Sequence, residues 1–414
     1  MATTPATTTQ FNVGGVLLNQ PFKIRRLGHF GFNSDRIDES LRFYTDLLGF
    51  RISDILDFGR VVPDPAALAG LGDTRGYFTR YGGDHHAFVL FPRRVMEQLA
   101  VLRGGHPPRP GVTTNQITWQ VGSLGEVNRA MQWFAEHDVR ITRTGRDMPG
   151  SNWHVYPLDP DGNTVELYYG IEQIGWDGYS KPRVMYDRRF DKAPELPQPS
   201  ELDEIQQAIE RGVDLHSGYR YVEKLPAAYD VDGVLLPRPF KITKIGPVSL
   251  FAADLDAAER YYRDLLGFIF TEEVIWQGER CVFLRNNTEH HSLALYPLAL
   301  RERLGLSDHT NCMAFGVQLG SYQQLRDARD FLARQGVRAV EIPAALYPGI
   351  DYALHVQDPD GHCVQLYYQM EQIGWDGRPR PASERRQVEP GVWPEVLDAQ
   401  SDTYQGEPFL GPWG

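Results

Sequence analysis

The segment LDPDGNTVELYYGIEQIGWDG at residues 158–178 returns as QDPDGHCVQLYYQMEQIGWDG at residues 357–377. In both copies a DPDG turn precedes a short strand in which apolar and polar residues alternate. Three more pairs of segments recur in the same order: VGGVLLNQPFKIRRLGH (13–29) with VDGVLLPRPFKITKIGP (231–247), ESLRFYTDLLGF (39–50) with AAERYYRDLLGF (257–268), and GDHHAFVLFP (83–92) with TEHHSLALYP (288–297). Chance does not give so many ordered matches, so we predict a tandem duplication of a unit of roughly 150–170 residues.

The repeats divide the 414 residues into five parts. We predict a disordered leader at 1–12, a first unit at 13–182, a linker at 183–230, a second unit at 231–378 and a C-terminal tail at 379–414. The linker has no second copy, is rich in proline and charge, and carries a short helical pattern around Glu201–Arg211. We expect it to pack across the surface.

Composition narrows the class of protein. The hydrophobic content of 42% predicts a soluble globular protein, and the formal net charge of −12 argues against nucleic acid as a partner. The three cysteines, Cys281, Cys312 and Cys363, form no CxxC pair, which favours a reducing compartment without disulfides. The N-terminus lacks the pattern of a secretory signal, and no apolar run approaches the roughly 20 residues of a membrane helix. We therefore expect a cytoplasmic protein with no membrane partner.

Hydrophobic periodicity gives the order of elements within each unit. A strand at Leu27–Phe32 is followed by a helix that Ser34 or Asp35 can cap and that Gly49 ends. Further strands lead to a second round of the same order, which closes with strands at 139–143, 153–158 and 164–169. The order is βαβββ, twice per unit, and it predicts an α+β fold in which each unit forms one curved, mostly antiparallel sheet.

Strand alternation separates the two faces of this sheet. Ile117 and Trp119 should pack under helices, so Gln116 and Thr118 should point to the opposite face. The same argument groups further sets on common faces: Thr164, Glu166 and Tyr168; His154 and Tyr156; His86, Phe88 and Leu90. Because burying such polar groups without partners is costly, a face lined by them predicts a binding or catalytic site.

The βαβββ order, the opening LGH, the FYTDLLGF helix and the DPDGNTVELYY ending resemble the vicinal-oxygen-chelate superfamily. Within it, the duplicated length is most similar to the two-domain type I extradiol ring-cleavage dioxygenases. That resemblance implies an iron(II) site of two histidines and one glutamate. His29 matches the first ligand position and Glu166 the last, whereas the middle position falls on Gln116.

Each metal-ligand assignment has an ordinary alternative. His29 could be a partly buried histidine without metal, and Glu166 a solvated residue at the sheet edge. Gln116 could bind a hard metal through its amide oxygen or hydrogen-bond beside a metal-bound water. His154, on the face of Tyr156, is an open candidate for the missing nitrogen ligand. The resemblance also implies catalytic roles for His86, as acid–base, and for Tyr156, on the substrate side.

The second unit has poorer ligand positions. They fall on Pro247, Cys312 and Gln365, while His291 persists and His355 replaces the tyrosine. Because proline has no side-chain donor atom, we predict that this unit has lost its metal site and that one metal binds per chain.

The resulting expectation is a non-haem iron(II) dioxygenase, with manganese(II) as the other candidate metal, that cleaves a small catechol-like aromatic substrate with O₂ and forms a homo-oligomer. Two alternatives stay open. One is a metal-dependent isomerase, epimerase or lyase of the same superfamily, which Gln116 makes more credible. The other is a metal-free small-molecule-binding protein, against which the retained His29 and Glu166 argue.

Overall fold

The computed structural model describes residues 10–146, 149–185, 194–374, 376–389 and 391–397. Within these residues, each repeat unit forms a two-stranded hairpin followed by one eight-stranded sheet. The strands of the first unit are β1 (Phe11–Val13) and β2 (Val16–Leu18) in the hairpin, then β3 (Arg26–Ser34), β4 (Arg51–Asp57), β5 (Arg75–Arg80), β6 (Phe88–Pro92), β7 (Thr114–Gln120), β8 (Ile141–Gly145), β9 (Trp153–Pro157) and β10 (Val165–Tyr169) in the sheet.

The second unit repeats this set. Its strands are β11 (Tyr229–Val231) and β12 (Val234–Leu236) in the hairpin, then β13 (Ile242–Ala252), β14 (Ile269–Trp276), β15 (Glu279–Arg285), β16 (Leu293–Pro297), β17 (Cys312–Leu319), β18 (Ala339–Val340), β19 (Ala353–Gln357) and β20 (Cys363–Tyr367) in the sheet. The strand order of the first sheet is β4-β5-β6-β3-β7-β10-β9-β8, and the second sheet follows the same order. Two four-stranded modules thus meet along an antiparallel central pair, and only the pairs β3–β6 and β7–β10 of the first sheet are parallel. This confirms the predicted fold class.

The helix of each βαβββ module packs on the face of its sheet that holds the main core, and further helices lie against the opposite face. Their bounds are α1 (Ile37–Arg42), α2 (Phe58–Val61), α3 (Arg93–Leu102), α4 (Leu124–Glu136), α5 (Glu201–Glu210), α6 (Leu255–Arg260), α7 (Leu300–Arg303) and α8 (Tyr322–Arg334). Helices α1 and α6 continue as π-helical turns over Phe43–Leu47 and Tyr261–Leu265. Short 3₁₀ turns lie at Pro65–Leu68, Arg183–Met185, Ala344–Leu346 and Ala382–Glu384.

The start of α1 differs from the prediction. Its N-cap is Arg36, and neither Ser34 nor Asp35 caps a helical N–H. The Arg36 backbone N–H instead donates to Ser34 Oγ and to Asp360 Oδ1 of the second unit, each at 3.1 Å. A contact between the units therefore replaces the local cap, which single-sequence rules do not anticipate.

The DPDG turns join the two units reciprocally. Tyr44 of the first unit donates to Asp358 Oδ2 at 3.0 Å, and Tyr262 of the second donates to Asp159 Oδ2 at 2.9 Å. All four side chains are buried. Helix-facing residues of both sheets form one continuous apolar cluster, which includes the Phe30 ring stacked on a phenylalanine of β17. The units share a core instead of being joined only by the linker.

The segments outside the repeats pack onto the units. Helix α5 begins after Ser200, which forms a capping box with Asp203, and its Glu204 pairs with the buried Arg146 of the first unit. In the C-terminal segment, Arg385 donates to Glu272 at 2.8 and 3.1 Å. Burial acts to raise the pKa of Glu272, but the hydrogen bonds from His290 and Arg385 outweigh it and hold the pKa at about 2. No helix among the described residues is long and apolar enough to cross a membrane.

Candidate active site

A row of three polar side chains crosses the centre of the first sheet. On neighbouring strands, His29 of β3 lies opposite Thr118 of β7, and Thr118 lies beside Glu166 of β10. All three are fully buried. Since Ile117 and Trp119 face the helices and belong to the main core, alternation turns Thr118 to the other face, as predicted.

Glu166 is the centre of a hydrogen-bonded group. Its Oε2 lies 2.9 Å from His29 Nε2 and accepts from Thr118 Oγ1 at 2.8 Å. Its Oε1 accepts from Asn152 Nδ2 at 2.7 Å and lies 3.8 Å from His154 Nδ1. Burial acts to raise the pKa of Glu166, but the charges of His29 and His154 and the hydrogen bonds from His29 and Thr118 lower it to about 2. The carboxylate is therefore ionised at neutral pH.

His86 contacts this group, but it lies before the strand on which it was expected. Its ring centroid is 4.2 Å from that of His29, and its Nδ1 is 3.1 Å from His85 Nδ1. Burial first, and then the neighbouring His29 and His85, lower the pKa of His86 well below its usual range, so the ring is neutral.

The predicted common face of His86 with Phe88 and Leu90 is wrong. Strand β6 begins only at Phe88, so alternation does not extend back to the histidine. Phe88 and Leu90 pack in the helix-side core, whereas His86 contacts Phe78, which belongs to a cluster on the opposite face.

Through His29, the row reaches a cavity of about 800 Å³ on the face of the first sheet opposite the main core. Four of the predicted residues line it: His29, His86, Gln116 and Tyr156. Glu166 and His154 are fully buried and do not contribute to its lining. The predicted residues thus lie together at one cavity: four of them line it, and Glu166 and His154 are buried next to them.

Three residues of this site were not predicted. Thr118 was placed on the correct face but given no role, although it donates to Glu166. Asn152 precedes β9 in an irregular segment, where alternation gives no orientation, and it holds the other carboxylate oxygen. Arg143 of β8 places its guanidinium 4.6 Å from the centroid of the Tyr156 ring. The sequence signal that could have identified Asn152 and Arg143 is only their proximity to predicted site strands.

The donor geometry fits a metal ion bound by His29 and Glu166. Two adjacent ligands of an octahedral ion, each at about 2.1 Å, lie about 3 Å apart, and His29 Nε2 and Glu166 Oε2 are 2.9 Å apart. Gln116 reaches the same cavity from β7, two residues before Thr118. His29 Nδ1 is buried without a hydrogen-bond partner among the described residues, so the proton of the neutral ring lies on Nε2 beside Glu166 and would move to Nδ1 when Nε2 binds a metal.

A second group of possible ligands lies elsewhere. Ligand atoms of Asp358, Asp360 and His362 lie within 4.8 Å of one another at the DPDG turn of the second unit. These side chains are already engaged between the units: Asp358 by Tyr44, and His362 Nε2 by Thr113 Oγ1 at 2.9 Å. Their arrangement is explained by the contact between the two units.

The strand registers identify the counterpart of Gln116 in the second unit. Gln116 lies opposite Gly31, and the corresponding Ser249 lies opposite Ala314. The prediction that Cys312 takes this position is therefore wrong. Each unit has a Thr-Asn pair at the start of this strand and a Gly-Ser pair after it, and the two pairs lie two residues further apart in the second unit. Aligning the Thr-Asn pairs therefore matches Gln116 with Cys312 instead of Ala314. The side chain of Ala314 has no donor atom.

Apolar side chains fill the concave face of the second unit. One cluster there contains Phe251, Phe283, Tyr296, Met313, Ala314, Leu346 and Cys363. Residues at the matching positions of the first unit line its cavity: Asn33, Phe78, Phe91, Asn115, Gln116 and Thr164. At the third ligand position, Gln365 Nε2 lies 3.0 Å from His355 Nε2, so this amide is engaged within the protein.

Comparison with known proteins identifies the family of this chain. The family described as the Glyoxalase/Bleomycin resistance protein/Dioxygenase superfamily matches residues 26–167 and 244–366, more than half of the chain. "Metapyrocatechase 2" from Cupriavidus necator is 29% identical over 164 residues, which are 39% of this chain and 42% of that protein. "3-methylcatechol 2,3-dioxygenase" from Pseudomonas putida is 26% identical over 148 residues, 36% of this chain and 43% of that protein. The matches thus span less than half the length of these relatives.

Among solved structures, the 2,3-dioxygenase LapB from Pseudomonas sp. KL28 superposes with a TM-score of 0.55 at 14% identity. The superposition covers 86% of this chain and 97% of LapB, so the likeness extends over both units and shows a shared fold. The family match covers both repeats and agrees with this shared fold. The chain belongs to the Glyoxalase/Bleomycin resistance protein/Dioxygenase superfamily.

Proposed function

We propose that this protein is a metal-dependent extradiol dioxygenase that opens a catechol-like ring with O₂ in its first unit. The observation that carries the proposal is the buried row of His29, Thr118 and Glu166, of which His29 lines a cavity together with His86 and Tyr156. The names of the two curated relatives, both acting in the same reaction class, support it.

The metal would be held by His29 and Glu166, with Gln116 as the third protein ligand. Iron(II), or manganese(II), supplies chelation of two adjacent substrate oxygens and the redox chemistry that O₂ requires. Overall, one ring carbon–carbon bond next to the diol breaks and both oxygen atoms enter the product, so no external reductant is consumed.

The remaining side chains bind the substrate and move protons. His86 is neutral and lines the cavity, so its ring can accept a proton from a substrate hydroxyl and return it later. Tyr156 offers a hydroxyl to a substrate oxygen. Asn152 and Thr118 donate to Glu166 and hold its orientation, as is usual for groups behind a metal ligand.

Gln116 favours one competing function. An amide oxygen is a hard donor suited to a non-redox metal, and an isomerase, epimerase or lyase of this superfamily would use the same chelation to stabilise an enediolate. Such an enzyme would consume no oxygen. A metal-free binding protein would need neither the buried Glu166 nor its donors.

Oxygen uptake and metal content separate these functions. Protein purified without oxygen is loaded with iron(II) and offered a panel of catechols in an oxygen electrode. We expect one O₂ per ring and a coloured ring-opened product. His86→Ala should slow turnover while the metal content stays the same, and Gln365→Ala in the second unit serves as the matched control with full activity. If iron-loaded protein consumes no oxygen with any catechol, the dioxygenase proposal is wrong and the isomerase, epimerase or lyase function replaces it.

A further inference from the structure

Positive charges predominate among the described residues that line the cavity. Four arginines belong to its lining: Arg103, Arg109, Arg140 and Arg143. The chain as a whole carries a net charge of −12, so this concentration of positive charge runs against the composition. Asp159 is the one carboxylate among the described lining residues. It is buried and accepts hydrogen bonds from Asn163 and Tyr262.

Arg143 is the least exposed of these four arginines. It is half-buried, whereas the other three arginines are exposed at the rim. A register shift between Ile141 and Arg143 in β8 places Arg143 opposite Tyr156, with its guanidinium over the Tyr156 ring. In the second unit the residue opposite His355, the counterpart of Tyr156, is Val340, which packs against the apolar cluster that fills that face. The cation is therefore particular to the unit with the cavity.

A cluster of apolar side chains also lines the cavity. Phe58, Phe78, Phe91, Met96 and Ala100 line it. A volume of about 800 Å³ lies toward the upper end of what small-molecule sites use and exceeds the needs of a single ring. The lining of the cavity thus combines the site proposed to bind the diol, a cluster of apolar side chains and several arginine side chains.

We propose that the substrate is a catechol that carries an anionic group, a carboxylate, on an apolar substituent, and that Arg143 is the specificity-determining residue that binds this group. This proposal rests on the proposed function of the same site. A guanidinium pairs with a carboxylate through two parallel hydrogen bonds, and a cationic cleft also accelerates the capture of an anion.

The test compares pairs of catechols that differ only in charge, such as a carboxylate-terminated side chain and its methyl ester. A charge-assisted hydrogen bond contributes about 1.5–3 kcal/mol, so we expect kcat/KM for the acid to exceed that for the ester by about 10- to 100-fold. Arg143→Gln should reduce this ratio by at least about tenfold. Arg94→Gln, an exposed arginine of α3 outside the cavity, removes the same charge and should leave the ratio unchanged.

Binding to metal-free protein separates this proposal from the proposed function. Calorimetry should show that an aromatic carboxylate binds more tightly than its ester, that the difference shrinks with added salt, and that Arg143→Gln abolishes it. If oxygen is consumed but the acid and the ester react equally, the substrate class is refuted and the dioxygenase stands. If no catechol consumes oxygen while the carboxylate still binds through Arg143, the dioxygenase fails and the anion site stands.

Discussion

Asn152→Ala removes the donor that holds one oxygen of the buried Glu166. The bond measures 2.7 Å, and the two side chains are 4% and 0% exposed, so the bond lies in a buried setting where its charge is weakly screened. A hydrogen bond to a charged group contributes about 1.5–3 kcal/mol, and we expect the free energy of unfolding of metal-free protein to fall by about that amount. Urea unfolding measures it, with an unchanged slope as evidence that the unfolded state is the same.

The control is a matched Asn→Ala change with a neutral acceptor. Asn115 Nδ2 donates to Asn33 Oδ1 at 2.9 Å, so Asn115→Ala should cost only about 0.5–1.5 kcal/mol. In protein reloaded with iron, Asn152→Ala should also weaken metal binding by about 10- to 100-fold, because Glu166 loses its orientation. If Asn152→Ala lowers the free energy of unfolding no more than Asn115→Ala does, then Glu166 is not a charged acceptor held by the surrounding protein. The reasoning about this site would then be wrong.

Three further predictions concern the metal and the pH dependence of stability. Elemental analysis should find one metal per chain, lost in Glu166→Ala and kept in Gln365→Ala; two metals per chain would refute the assignment to the first unit. Gln116→Ala should weaken iron binding in equilibrium dialysis and His154→Ala should not, whereas the reverse pattern would make His154 the third ligand. Glu272→Gln should destabilise the protein by about 1 kcal/mol at neutral pH, since the ion pair is partly exposed. Because the folded pKa of Glu272 is lowered to about 2, this difference should persist above about pH 4.5 and disappear as the pH falls toward 2; a pH-independent difference would contradict it.

Periodicity predicted those parts of the site that lie on regular strands. Thr118 and Glu166 face the cavity side because their neighbours Ile117 and Leu167 are core residues, and alternation needs no further information. Prediction failed where the backbone leaves that pattern. His86 precedes its strand, and Asn152 lies before β9, so the side of the sheet they face depends on irregular chain segments.

Two other errors arose from relations between distant segments. The repeated letters Thr-Asn suggested that Cys312 corresponds to Gln116, but hydrogen-bonded pairing, which sequence comparison does not see, assigns Ala314. The cap of α1 was expected from the residues before it, yet Asp360 contributes from far along the chain. The predicted leader, linker and tail boundaries remain predictions, and residues 1–9, which contain most of the leader, lie outside the described part of the chain.

The reciprocal contacts of the DPDG turns make the second unit a built-in partner for the first. Asp360 accepts hydrogen bonds from Ser34, the last residue of the strand β3 that carries His29, and from Arg36 and Ser40 just after it. A substitution at Asp360 would therefore disturb the site from the opposite unit without touching any residue that lines the cavity. The first unit expressed alone would leave Asp159 and Tyr44 without their buried partners. The arrangement is that of a dimer fused into one polypeptide, in which each half completes buried contacts of the other.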